Sequence, residues 1–131
     1  MPAVAIVGAS AKVDRPSHQA VLKYRAAGWT VWPIHPSGEA VAGLATLRSL
    51  AELPRTPEVV SLYVNPKAGL DLVPALATAK PRYVWLNPGA DSPELADALR
   101  AAGLAPVVSC NLVALSLGDP LQIAARQLAT H

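Results

Sequence analysis

The 131-residue sequence predicts an α/β fold, a doubly wound five-stranded parallel sheet with helices on both faces. Three observations carry that prediction. Apolar residues come in short runs of strand length, broken by Pro and Gly. These runs alternate with helix-length segments whose starts carry Ser, Asn or Pro and two of whose ends carry Gly. Strand following helix over the whole chain also implies right-handed crossovers and a sheet covered on both sides.

The first strand is Ala3-Val4-Ala5-Ile6-Val7, ending on Gly8-Ala9-Ser10. A helix is predicted over Ser17–Ala27, with Ser17 as N-cap, Gly28 as the left-handed stop, and Ala20, Val21, Tyr24 and Ala27 as its apolar stripe. Trp29–Ile34 forms the second strand, with Pro33 expected to weaken pairing toward its end at His35-Pro36. A long connection from Ser37 holds a short helix around Ser49–Leu53 and the breakers Pro54 and Pro57. The third strand is Glu58–Val64, and Asn65-Pro66 opens a helix to about Ala79 with a kink at Pro74. Arg82–Asn87 is the fourth strand. Asp91-Ser92-Pro93-Glu94 opens a helix through Ala102 that stops at Gly103. Pro106–Cys110 is the fifth strand, irregular chain follows, and the last helix spans Pro120–Ala129.

With 52% hydrophobic and 15% charged residues the chain is too apolar for disorder. One domain over residues 1–131 is expected, without internal repeat or linker, long enough to bury roughly two-thirds of its unfolded surface. Met1-Pro2-Ala3 lacks a basic start, and the apolar run after it is too short for a signal peptide or a membrane span, so no membrane role and a cytoplasmic location are expected. Residues 101 to 118 are nearly continuous in hydropathy, but Pro106, Ser109, Asn111 and Ser116 interrupt them. The lone Cys110 excludes an internal disulfide and a cysteine-based zinc cluster. It reads as a small buried hydrophobe rather than a reactive thiol, since no basic residue adjoins it. A net charge of +2 with scattered basic residues gives no nucleic-acid footprint.

In such a sheet a ligand lies beyond the carboxyl ends of the strands, where strand order reverses. That rule selects four loops: Gly8 to Ser17, His35 to Gly38, Asn65-Pro66-Lys67, and Asn87-Pro88-Gly89-Ala90. The first joins a strand to a helix N-terminus, whose unpaired N–H groups and dipole can hold an anion. A bare strand-to-helix turn benefits from Gly8 equally, because only one glycine of the dinucleotide fingerprint is present. The second strand ends on His35-Pro36, without the acid that binds the ribose hydroxyls of NAD. Lys12 and Arg15 suit phosphates, including an extra ribose phosphate, although Arg15 also suits an ion pair with Asp14. His35 suits stacking on adenine or a phosphate contact, and equally a loop histidine with no role.

These segments carry a family resemblance. Val4-Ala5-Ile6-Val7-Gly8-Ala9-Ser10, then Asp14-Arg15-Pro16-Ser17, Gly28-Trp29-Thr30-Val31 and Ile34-His35-Pro36 resemble the small bacterial and archaeal CoA-binding domain proteins, similar to the CoA-binding domain of succinyl-CoA synthetase. Gly43 and Leu47–Pro54 look like that family's G-x-x-x-x-x-S-L-x-x-[IL]-P segment, Val84-Trp85-Leu86 with Gly89 fits it, and Glu94–Gly103 resembles its penultimate helix. The resemblance implies a Rossmann-like sheet that binds CoA or an acyl-CoA. It implies a diphosphate on the Gly8-Ala9-Ser10 backbone, Lys12 and Arg15 on phosphates, and Pro36 with its neighbours beside adenine. Ser17 is placed at the helix start either as a phosphate contact or as a plain cap. Asn65, Pro66, Asn87 and Gly89 complete the candidate set. The chain departs from the family in three places. Asn65-Pro66-Lys67 replaces an Arg-rich segment, Asn87-Pro88-Gly89 replaces Gln-x-Gly, and Cys110 stands one position out of register with the family's Asp-Arg-Cys ending.

No nucleophile, base and orienting group assemble from these loops, since His18, His35 and His131 are far apart in sequence and no acidic pair accompanies His35. The expectation is therefore a non-catalytic CoA-binding or regulatory module, acting through a protein partner or as a homo-oligomer. Two other classes stay open: an NAD(P)-dependent oxidoreductase with an atypical fingerprint, and a scaffold or regulatory subunit that has lost its ligand.

Overall fold

Residues 1–129 are described by a computed structural model; His131 lies outside the described residues. The elements run β1 (Ala3–Val7), α1 (Pro16–Ala26), β2 (Thr30–Ile34), a 3₁₀ turn (Leu50–Glu52), β3 (Val59–Leu62), α2 (Pro66–Ala79), β4 (Tyr83–Leu86), α3 (Pro93–Ala101), β5 (Pro106–Val108), α4 (Asn111–Leu117) and α5 (Pro120–Ala129). All five strands are parallel, in the order β2-β1-β3-β4-β5. The predicted Rossmann-like α/β architecture is therefore present. Its order reverses between β1 and β3, which fixes the crevice at their carboxyl ends.

Alternate side chains of the central strands enter two separate cores. Val4 and Ile6 pack with Ala20, Val21 and Tyr24 of α1, Ala114 of α4 and Ala124 of α5. Ala5 and Val7 pack on the other face with Leu76 of α2 and Leu95 and Leu99 of α3. Every residue of β1 is buried, as a strand covered on both faces requires. The helix starts follow their sequence signals. Asn65 Oδ1 accepts from Ala68 N–H at 2.8 Å and Ser92 Oγ accepts from Leu95 N–H at 3.0 Å, each followed by Pro at the first helical position. The α2 helix continues unbroken through Pro74. Among the described residues no helix is long and apolar enough to cross a membrane.

Four local expectations are corrected. Arg15 rather than Ser17 precedes α1, because Pro16 takes the first helical position and draws Ser17 into the first turn, where it is buried. Ala27 is exposed, since the helix has already ended at Ala26 and the inward face is completed by His18. Pro33 does not end pairing: β2 is an edge strand, Ile34 still pairs with Val7, and the Pro33 carbonyl turns outward to accept from Leu47 N–H at 2.9 Å. Proline's missing donor falls on the side that faces no neighbouring strand. Finally, the chain after β5 is helical, because Leu112, Ala114 and Leu115 present an apolar face to the core beneath α1.

Gly8 has φ +85°, and a Cβ there would lie 2.6 Å from the Tyr63 carbonyl oxygen. Gly8→Ala is therefore expected to destabilise the fold by more than about 1 kcal/mol, read as a lower urea midpoint; an unchanged midpoint would remove this contact as a constraint.

Candidate functional site

The loop after β1 is fastened almost entirely by its own neighbours. Gly8 and Ala9 N–H both donate to the Ile34 carbonyl of β2, at 2.9 and 3.2 Å. Ser10 N–H donates to Ser17 Oγ at 3.1 Å, and Lys12 N–H to Ser10 Oγ at 3.1 Å. His18, buried in the first turn of α1, donates from Nδ1 to the Ser10 carbonyl at 2.8 Å. Ser10 is thus held at its N–H and its carbonyl by adjacent residues of one helical turn. The Gly8, Ala9 and Ser10 N–H groups, expected to receive a diphosphate, donate here to Ile34 and Ser17. What remains beside the opening is the start of α1, with its unpaired first-turn N–H groups, and the side chains of Lys12 and Arg15. Arg15 forms no ion pair with Asp14 among the described residues, whose ion pairs are Arg55–Glu58 and Arg100–Asp97.

Three adjoining hollows surround this loop. One of about 250 Å³ is lined by Gly8, Ser10, Lys12, Arg15, Ser17 and Tyr63. A second of about 280 Å³ shares Ser10 and Lys12 and adds Ala9, His35 and Glu39. The third is an open cleft of about 540 Å³ between the loop after β2, the 3₁₀ turn and α2, bordered by His35, Pro36, Arg48, Leu50, Ala68 and Asp71. Gly8 and Tyr63 line it too, so the hollows meet over the β1–β3 reversal. The His35 ring is fixed by Ser37, whose N–H and Oγ lie 3.1 and 2.9 Å from Nδ1. A mostly apolar cleft joined to a cationic loop suits a ligand with a flat apolar end and an anionic middle.

The other predicted residues are not among those that line the three hollows. Asn65 and Pro66 are occupied in starting α2. Asn87 is buried: its Nδ2 donates to Ser61 Oγ at 2.8 Å and to the Leu62 carbonyl at 3.0 Å, while its Oδ1 accepts from Asn111 N–H at 2.9 Å. It ties β3, β4 and the start of α4 together. Gly89 is exposed in the turn closed by Ala90 N–H on the Asn87 carbonyl at 2.8 Å. Cys110 is half-buried at the start of α4 and not part of the core. Sequence reading missed Arg48, Tyr63 and Asp71 as cleft residues. Arg48 is brought beside Pro36 by the Ile34–Leu47 bridge, which no local pattern announces.

Below the crevice lies a polar cluster inside the core. The Tyr24 and Tyr63 hydroxyls, Trp85 Nε1 and the Asn111 carboxamide are buried without a well-formed hydrogen bond. Burial pushes both tyrosine hydroxyls above the usual phenol range, the adjacent Asn111 amide partly opposing this at Tyr24 and Ser61 at Tyr63.

The profile of the CoA binding domain family matches residues 2–116. Solved structures of similar size superpose closely. A Thermus thermophilus protein shares 29% identity with a TM-score of 0.80, over 88% of this chain and 87% of that one. A conserved hypothetical protein from Pyrococcus furiosus shares 30% identity with a TM-score of 0.75, over 84% of this chain and 93% of that one. The dinucleotide-forming acetyl-coenzyme A synthetase 1 of Ca. Korarchaeum cryptofilum shares the fold, with 20% identity, a TM-score of 0.69, and coverage of 82% of this chain and 26% of that one.

Replacing Asn87 by Ala leaves the Asn111 N–H and Ser61 hydroxyl without their partner, so stability is expected to fall by about 1–3 kcal/mol in denaturant titration. Both tyrosines ionise less readily folded than unfolded. Their contribution is fully present below the ordinary phenol value of about 10 and is lost as pH rises beyond it. Stability is expected to decline above that pH, more shallowly in Tyr24→Phe; an identical slope in the variant would contradict this.

Proposed function

The chain belongs to the CoA binding domain family, and from that membership we propose that it binds CoA or an acyl-CoA across the carboxyl ends of β1, β2 and β3. The observation that carries the proposal is the meeting, at the point where strand order reverses, of a cationic hollow with an apolar cleft. In this reading Lys12, Arg15 and the first turn of α1, including Ser17, neutralise the diphosphate. Ser10 shapes the loop, Gly8 and Ala9 let it approach, and His35 and Pro36 border the adenine. The residues fit the ligand's chemistry: a cleft of about 540 Å³ accepts an adenosine end, and the adjoining hollow supplies positive charge beside it. Asn65, Pro66, Asn87 and Gly89 frame the far side of the crevice, where Asn87 acts through the backbone it holds.

The module binds rather than transforms its ligand and acts through a protein partner or a second copy, with residues 1–131 as one domain. A cytoplasmic setting agrees with the single unpaired Cys110. The place that carries an acid in NAD sites holds Ile34-His35-Pro36, which favours CoA over NAD.

In thermal unfolding, CoA at 100 times its dissociation constant adds about 2.7 kcal/mol of stability, a rise of several degrees that NAD should not reproduce. In calorimetry, Arg15→Ala is expected to weaken CoA binding about tenfold. Undiminished affinity would remove Arg15 from the site, and no shift with CoA or acetyl-CoA would overturn the proposal.

A further inference from the structure

The cleft holds a cation that the diphosphate does not require. Arg48 lines it beside His35 and Pro36, whereas Lys12 and Arg15 line a different hollow on the other side of Gly8. The Arg48 side chain is restrained. Its Nη1 donates to the Pro36 carbonyl at 3.0 Å, and a Cβ on Gly38 would lie 3.0 Å from its Cζ. A side chain at position 38 would crowd the guanidinium where it now lies, and the arginine would have to shift to make room. The backbone is anchored as well, by Arg48 N–H on Glu52 Oε2 at 3.1 Å.

The charges around it leave this cation without a counter-ion. Glu52 is turned to the Arg48 backbone, and the guanidinium joins neither of the ion pairs found among the described residues. Asp71, the one acid lining the cleft, stands across it on α2, and Glu39 lines the neighbouring hollow with Lys12 and His35. A guanidinium has five N–H donors in a rigid fork, and here a single carbonyl occupies that fork. An uncompensated fork, tethered by one bond at the wall of a nucleotide-sized cleft, matches a phosphate, which it can grip in two places at once. Two separate cationic stations fit a ligand phosphorylated at two places.

We propose that Arg48 reads a phosphate ester on the ribose of the bound nucleotide, so that the cleft selects ribose-phosphorylated nucleotides over their unphosphorylated counterparts. This specificity role rests on the CoA reading: CoA carries a phosphate on its adenosine ribose, and 3′-dephospho-CoA is the same molecule without it.

The test is calorimetric titration of the full chain with CoA and with 3′-dephospho-CoA, for the wild type, Arg48→Gln and the distant surface control Arg82→Gln, with urea midpoints confirming that each variant is folded. Wild type is expected to bind CoA about tenfold more tightly than dephospho-CoA, and Arg48→Gln to erase that preference while leaving dephospho-CoA affinity within about twofold. Arg82→Gln should change neither. Equal binding of the two ligands by the wild type overturns the role of Arg48 while leaving the CoA reading standing. An equal loss for both ligands in Arg48→Gln overturns it too, showing that the side chain shapes the cleft without reading a phosphate. Binding of neither ligand by the wild type overturns the CoA reading, and this inference with it.

Discussion

The approach of Gly8 to the Tyr63 carbonyl governs the functional end of the molecule. At the point where strand order reverses, two parallel strands send their chains to opposite faces of the sheet, and here their backbones touch. The 2.6 Å between a hypothetical Gly8 Cβ and that oxygen shows that no side chain fits. Gly8 and Ala9 then turn their N–H groups onto Ile34, so the ends of β2, β1 and β3 are fastened at one residue. The loop that follows inherits this fixed start, and Ser17 and His18 fix its other side through Ser10. The result is a loop whose side chains and adjoining helix start line the hollow, while its own first amides serve the fold.

That arrangement divides the labour between the two sheet faces. On the α2 and α3 face the core is aliphatic, closed by Leu76, Leu95 and Leu99, and its upper edge opens into the apolar cleft. On the α1, α4 and α5 face, polar groups enter the core near the strand ends. Asn87 satisfies the Ser61 hydroxyl and the Asn111 backbone N–H, while the tyrosine hydroxyls and the Asn111 carboxamide stay buried without a well-formed bond. Tyr63 joins the two regions, since it borders the cleft and the cationic hollow while its hydroxyl reaches the buried cluster.

The strands and most helix starts were legible because each rests on a local signal: continuous apolar runs, and Asn or Ser followed by Pro. What the sequence concealed depends on contacts distant along the chain. The strand role of Pro33 follows from β2 being an edge strand, which strand order alone decides. The helix at Asn111–Leu117 is only seven residues and draws its stability from α1 across the core rather than from its own propensity. In the site, Lys12, Arg15, His35 and Pro36 are read from loops next to strand ends. Arg48 comes from a connection that returns to β2 through one bridge, and the three internal partners of Asn87 are just as distant along the chain.

Whether CoA lies across the β1–β3 reversal is decided by following backbone amide resonances during titration with CoA. Saturable shifts are expected, concentrated in residues 8–18, around His35, in Arg48–Ala51 and at Tyr63, with the amino ends of the strands unmoved. No shift at millimolar CoA, or shifts confined to the opposite end of the sheet, would contradict that placement.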